Sequence, residues 1–196
     1  KDGTEFSGTV VRKDGDRLLL VIPRSQVETV DGQTLPAPVA VGAAAPQFEA
    51  TDLSGTKHAL ADYRGKVMVL QFWATWCPHC RSDVQLMKDL FTKYQGQGLQ
   101  ILTVSTDHDV DKLQSFIRDQ QLRYPIIPTF GPSVSAQQVA LPDLYEAQGV
   151  PTYVVIDRQG TIAKAFSGSV TEGRVDLEGE LNRLLAASQP SASKTP

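Results

Sequence analysis

The chain is poor in the residues that build metal sites and disulfide scaffolds: two cysteines, three histidines and two methionines in 196 residues. Two cysteines cannot frame a disulfide-stapled small domain, and they leave a four-ligand zinc site short of donors. His58 and His108 lie in polar stretches without ligand-like spacing. Charge of one sign is lacking too. Nineteen Lys and Arg against 22 Asp and Glu give a net charge of −3, no electrostatic case for nucleic acid or an anionic membrane surface. No apolar run approaches the ~20 residues of a membrane-spanning helix, and no internal repeat, phosphate loop or Ser/His/Asp set is visible. What remains, 41% hydrophobic and 21% charged residues, is ordinary globular composition, enough for one domain and a little more. The chain begins at Lys1 without a methionine, which suggests that an export signal or membrane anchor has been removed.

Both cysteines fall in one stretch, Trp76-Cys77-Pro78-His79-Cys80. Before it, Val67-Met68-Val69-Leu70-Gln71-Phe72 reads as a fully buried parallel strand. After it, Val84, Met87, Phe91 and Tyr94 recur at helical spacing. A strand that ends in C-x-x-C and opens a helix is a redox constellation. Residues three apart share a helix face, so the two sulfurs can meet. Cys77 lies where unpaired N–H groups and the helix dipole favour a thiolate, which makes it the expected nucleophile. Cys80, one turn inside, is the expected resolving thiol, and Trp76 should border the exposed sulfur. A purely structural bridge across two residues would stabilise little, because the loop it closes is so small. Copper binding through Cys77, His79 and Cys80 is the non-enzymatic alternative.

The segment from Gly65 to Arg81, GKVMVLQFWATWCPHCR, resembles the thioredoxin superfamily, and is most similar to its extracytoplasmic TlpA/ResA-type thiol–disulfide oxidoreductases. Pro46, Phe48, Asp52 and Gly55 upstream fit that group, as do Gly149-Val150-Pro151-Thr152 and Asp157-Arg158-Gln159-Gly160 downstream. The resemblance covers about residues 46 to 187. It implies an α/β thioredoxin fold, a mixed central sheet flanked by helices. It also implies a cis Pro151 that presents the Val150 backbone beside Cys77, with Trp76, Val150 and Thr152 binding substrate. Cysteine-containing proteins would be the substrates and a membrane or soluble thiol the redox partner. The compartment would be the periplasm or outer cell face, with no cofactor beyond the Cys77–Cys80 disulfide and no metal.

Within that group Pro78-His79 is unusual, since these proteins more often carry Pro-Pro or Glu-Pro between the cysteines. Pro-His is the dipeptide of DsbA, whose thiol pKa of about 3.5 and potential near −120 mV mark a strong oxidant. A donor or cationic imidazole at His79 would favour the Cys77 thiolate, so an oxidising bias is expected. Reduction of apocytochrome or metallochaperone cysteines is the alternative, favoured by membership of the group. Asp83 falls where ResA-like members carry a glutamate; it could tune or deprotonate Cys80, or stand as a solvated first-turn carboxylate. Gln71 takes the place of the buried aspartate of thioredoxins, and Gln85 that of a proline. A peroxidase reading is weaker, because the peroxiredoxin pattern P-x-x-x-[TS]-x-x-C is not met.

Three segments are expected: a β-rich extension and linker at 1–45, the thioredoxin-like domain at 46–187 and a flexible tail at 188–196. The extension should form β-hairpins around Asp14-Gly15 and Asp31-Gly32, packed as a ribbon on the main domain or serving as a docking element. The main domain should read hairpin, strand 66–73, helix 78–95, strand 99–105, helix 109–120, strands 152–157 and 161–166, helix 172–187. The proline-rich stretch between Tyr124 and Leu144 reads as a structured loop or short extra helix beside the active face.

Overall fold

The computed structural model describes residues 9–14, 17–21, 29–30, 33–34, 39–173 and 175–187. The chain divides into two compact units, Lys1–Pro38 and Val39–Pro196. In the first, β1 (Thr9–Asp14) pairs antiparallel with β2 (Arg17–Val21), and β3 (Thr29–Val30) with β4 (Gln33–Thr34). Strands thus stand on either side of both Asp-Gly pairs. The expected tail at 188–196 lies outside the described residues.

The second unit takes in the end of the expected linker. Gly42 N–H donates to Ile162 O at 2.8 Å, Ala45 N–H to Gly160 O at 2.9 Å, and Ile162 N–H to Ala43 O at 2.9 Å. Small residues let this segment lie flat along a strand, so residues 42–45 are part of the domain's edge. A short hairpin follows, β5 (Glu49–Thr51) with β6 (Lys57–Ala59). Its turn is held by Asp52, whose Oδ1 accepts the N–H groups of Ser54 and Thr56 at 2.8 and 2.9 Å. His58 accounts for its own burial there, with Nε2 3.0 Å from Asp52 Oδ2 and Nδ1 2.5 Å from the Tyr63 hydroxyl.

The central sheet has five strands in the order β11 (Ile162–Ser167), β10 (Thr152–Ile156), β7 (Val67–Trp73), β8 (Leu99–Ser105), β9 (Ile126–Pro128). β7, β8 and β9 run parallel; β10 is antiparallel to both its neighbours. Every residue of β7 is buried, as its continuous apolar run requires of a central strand covered on both faces. β9 was not legible as a strand, being three residues long with prolines on either side of Ile126-Ile127. Pro128 is tolerated because the strand is at the sheet's edge.

Strand periodicity sorts the core into two layers. Val67, Val69, Trp73, Ile101, Tyr153 and Val155 face α1 (Pro78–Tyr94), α2 (Val110–Gln120) and α5 (Leu177–Ala186). Met68, Leu70, Phe72, Leu102, Val104 and Val154 face the β5–β6 hairpin and the segment of short helices α3 (Ala136–Val139) and α4 (Leu141–Leu144). That segment is the proline-rich stretch. Its Tyr145 hydroxyl donates to Pro46 O at 2.6 Å, and Gln138 Nε2 to Thr51 O at 3.0 Å. α5 starts later than residue 172, because Asp176 is its N-cap, its carboxylate accepting Gly179 N–H at 2.7 Å. Residues 169–172 are thereby free for another task. Among the described residues no helix is long and apolar enough to cross a membrane.

Candidate active site

β7 delivers the chain to the C-terminal end of the sheet, where Ala74-Thr75-Trp76 turns it into α1. Cys77 is the helix N-cap, with φ −82° and ψ 115°, and Pro78 occupies the first helical position, where its missing N–H costs nothing. The Cys77 sulfur accepts the Cys80 N–H at 3.2 Å, and the two cysteines form a disulfide with Cα atoms 5.2 Å apart. Pro78, His79 and Trp76 are exposed, Trp76 to 64%. Cys77 is less accessible than expected, at 3% exposed, and Cys80 is buried at 1%. Both side chains belong to the apolar cluster that also holds Val84 and Met87.

The loop before β10 closes the other side. The Val150–Pro151 peptide bond is cis, and the Val150 carbonyl oxygen lies 3.5 Å from Cys77 Sγ, within reach of the thiol in the reduced state. Thr152, expected to bind substrate, spends its side chain internally. Its hydroxyl donates to Gly149 O at 2.7 Å and lies 2.8 Å from Ser167 Oγ, so it shapes the loop that presents Val150.

Asp83 is fully buried, so the solvated first-turn alternative does not hold. One oxygen accepts the Tyr153 hydroxyl at 2.7 Å and Val170 N–H at 3.0 Å. The other accepts the Ser169 hydroxyl at 2.6 Å, the Thr171 hydroxyl at 2.9 Å and Thr171 N–H at 3.0 Å. Burial alone would push this carboxyl up, but the donors from Ser169, Tyr153, Thr171 and Val170 outweigh it and hold it below the usual carboxylate range. Both oxygens being occupied, Asp83 is a poor proton acceptor for Cys80 and a strong anchor for residues 169–171. Gln71 feeds the same network, its Nε2 donating to the Tyr153 hydroxyl at 3.0 Å. Burial, then Asp83, push the Tyr153 hydroxyl far up, so it stays protonated and can donate. The amide at position 71 fits because Tyr153 needs a donor behind it.

His79 does not stand alone. Its Nδ1 lies 2.5 Å from Glu172 Oε1, on the segment that Asp83 anchors. Trp73 is buried at 2%, packed on Phe116 with ring centroids 5.7 Å apart, as a core residue should be.

Asp107 is a site residue that sequence reasoning missed. Buried at 5%, it accepts Thr75 N–H at 3.0 Å, the Thr75 hydroxyl at 2.6 Å and the Ser105 hydroxyl at 2.7 Å. It therefore ties the loop before Cys77 to the end of β8. The only signal was a polar run, Ser105-Thr106-Asp107, directly after a buried strand, and nothing in it points 32 residues back to Thr75. Asp107→Ala should cost about 1–3 kcal/mol of unfolding free energy, since it strands two hydroxyls and an N–H. It should also slow disulfide exchange; denaturant melts and exchange assays on one preparation measure both.

Comparison with known proteins agrees with this geometry. Residues 41–165 match the AhpC/TSA family. The chain is 34% identical over 146 residues to the thiol-disulfide oxidoreductase ResA of Geobacillus kaustophilus, covering 74% of this chain and 79% of that one. It is 36% identical over 134 residues to ResA of Geobacillus thermodenitrificans, covering 68% and 73%. Among solved structures, a putative thiol:disulfide interchange protein DsbE from Chlorobium tepidum superposes with a TM-score of 0.65 at 28% identity, covering 75% of this chain and 99% of that one. A putative thioredoxin from Neisseria meningitidis gives 0.64 at 26%, covering 75% and 93%. With the disulfide at the helix N-cap, the cis-proline loop against it and these relatives, the chain belongs to the AhpC/TSA family and is a TlpA/ResA-like thiol–disulfide oxidoreductase of the thioredoxin superfamily.

Proposed function

We propose that this oxidoreductase works outside the cytoplasm, exchanges disulfides with cysteine-containing proteins, and is biased toward oxidising them. The observation that carries the reading is Cys77 at the N-cap of α1, its sulfur accepting the Cys80 N–H at 3.2 Å. A thiolate there is stabilised by the helix N-terminus, which stabilises the reduced form and makes the disulfide a stronger oxidant. The Pro78-His79 dipeptide supports the same direction. A client thiolate attacks Cys77 Sγ, the Cys77–Cys80 bond breaks, and Cys80 leaves as a thiolate. A second client thiolate then attacks the client sulfur of the mixed disulfide and expels the Cys77 thiolate. The client leaves oxidised by two electrons, and a membrane or soluble disulfide partner takes those electrons from the pair. Exposed Trp76 and the Val150 backbone are the surfaces along which an extended client would lie.

Reduction of client disulfides is the second reading, and Glu172 favours it, because its carboxylate engages His79 and offsets the support the imidazole would give a thiolate on Cys77. Equilibration with glutathione separates the two. A potential of about −120 to −180 mV is expected for an oxidant; about −270 mV or below would make the protein a reductase.

A further inference from the structure

An exposed His–Glu pair is ordinarily worth little, because two mobile side chains must be held together in water. The pair of His79 and Glu172 differs in how its ends are mounted. His79 is in the first turn of α1, two residues after the sulfur that would carry the thiolate. Glu172 follows a segment fixed to the next turn of that same helix. Val170 and Thr171 give their N–H groups to Asp83 at 3.0 Å, the Ser169 and Thr171 hydroxyls add 2.6 and 2.9 Å contacts, and Thr171 Oγ1 reaches Ser82 Oγ at 3.4 Å. The carboxylate is thus brought to the imidazole by buried structure, and Oε1 meets Nδ1 at 2.5 Å.

We infer that Glu172 is a positioning residue that restrains His79 and thereby sets the redox potential of Cys77–Cys80. The inference rests on the role given to His79 in the reading above. With Glu172 in place, Nδ1 is engaged by the carboxylate, and a negative charge offsets whatever positive field the ring presents to the Cys77 thiolate. Both effects disfavour the reduced form. The anchored loop acts as a brake on an otherwise oxidising dipeptide, and the residue at position 172 decides how much of the His79 effect reaches the sulfur.

The test is the equilibrium in which two glutathione thiols reduce Cys77–Cys80 and leave as one glutathione disulfide. It is run on the wild-type protein, E172Q, H79Q and the double variant. E172Q is expected to shift the equilibrium toward the dithiol by about three- to fivefold, which is about 15 to 20 mV, and the shift should shrink to near nothing in the H79Q background. No change in E172Q would overturn the inference. So would an equal shift with and without His79, which would make Glu172 act directly on the sulfur. A shift toward the disulfide would overturn it as well, since Glu172 would then be keeping the imidazole charged beside Cys77. The wild-type potential and the H79Q shift test the oxidising reading separately, so failure of that reading is distinguishable from failure of this one. The Glu172 side chain is 42% exposed and Gln has nearly the same shape, so E172Q is expected to leave the fold intact.

Discussion

Replacing Cys77 by serine is expected to abolish disulfide exchange, while Cys80→Ser should attack its clients and fail to release them. The asymmetry follows from the helix. Cys77 caps α1, where the N–H of Cys80 points at its sulfur and the thiolate is the favoured form. Cys80 is one turn inside the helix, at 1% exposure, with its sulfur bonded to Cys77. A hydroxyl at position 77 is a far weaker nucleophile at neutral pH, so turnover should fall to the uncatalysed background. A hydroxyl at position 80 leaves the Cys77 thiolate able to attack a client disulfide, but removes the thiol that would then attack Cys77 Sγ and release the client. It also leaves no Cys77–Cys80 bond with which to oxidise one. Non-reducing gels of the two variants incubated with a reduced and partly oxidised client provide the measurement. Cys80→Ser should show a higher band that a reductant collapses, and Cys77→Ser should show none. Accumulation in the Cys77 variant instead would exchange the two roles.

Asp83→Ala should destabilise the folded protein by about 3–5 kcal/mol, because several buried neutral donors lose their charged acceptor, each left unsatisfied at a cost of about 1–3 kcal/mol and only in part re-paired. Five donors lose their acceptor at once, two of them backbone N–H groups with no other partner among the described residues. For a domain of this size the melting temperature should drop by roughly 10 °C. Asp83→Asn keeps the shape without the charge and reports the pH dependence. The Asp83 carboxyl is held below its ordinary value in the folded state. Its contribution is therefore complete above the unfolded carboxylate range, near pH 4, and is lost as pH falls through the lower folded value. The stability gap between wild type and Asp83→Asn should be widest at neutral pH and close on acidification. Denaturant melts from pH 7 down to pH 3 would show it; a gap independent of pH would mean that the network is neutral. Because the same carboxylate holds residues 169–171, both variants should also lose the link between Glu172 and His79.

The site divides into parts that were readable along the chain and parts that were not. Cys77, Pro78, His79 and Cys80 were readable because helix geometry alone brings residues three apart together and places the first at a helix N-terminus. Val150-Pro151 was readable only through resemblance, since no local rule carries residue 150 to a sulfur at residue 77. Thr152 was placed in the right loop, but its hydroxyl turned inward to Gly149. Asp83 drew attention by its spacing from Cys80, yet its partners, Tyr153, Ser169, Val170 and Thr171, come from the far end of the chain. Asp107 and Glu172 were passed over for the same reason. Each acts on a residue more than thirty or ninety positions away, across packed strands and helices.

By itself the sequence determined what depends on neighbours along the chain: the buried strand at 67–73, the helix from Pro78, the alternation of strands and helices, and the one place where two thiols could form a reversible bond. These follow from residue pattern, because apolar periodicity and a cap residue act over a few positions. Tertiary structure alone decided the environment of those thiols. It buried Asp83 beneath five donors, let a tyrosine and a glutamine stand behind it, made β9 an edge strand, and brought Glu172 to His79. Those are contacts between segments, selected by which surfaces close on one another when the sheet and helices pack, and local pattern carries no record of them.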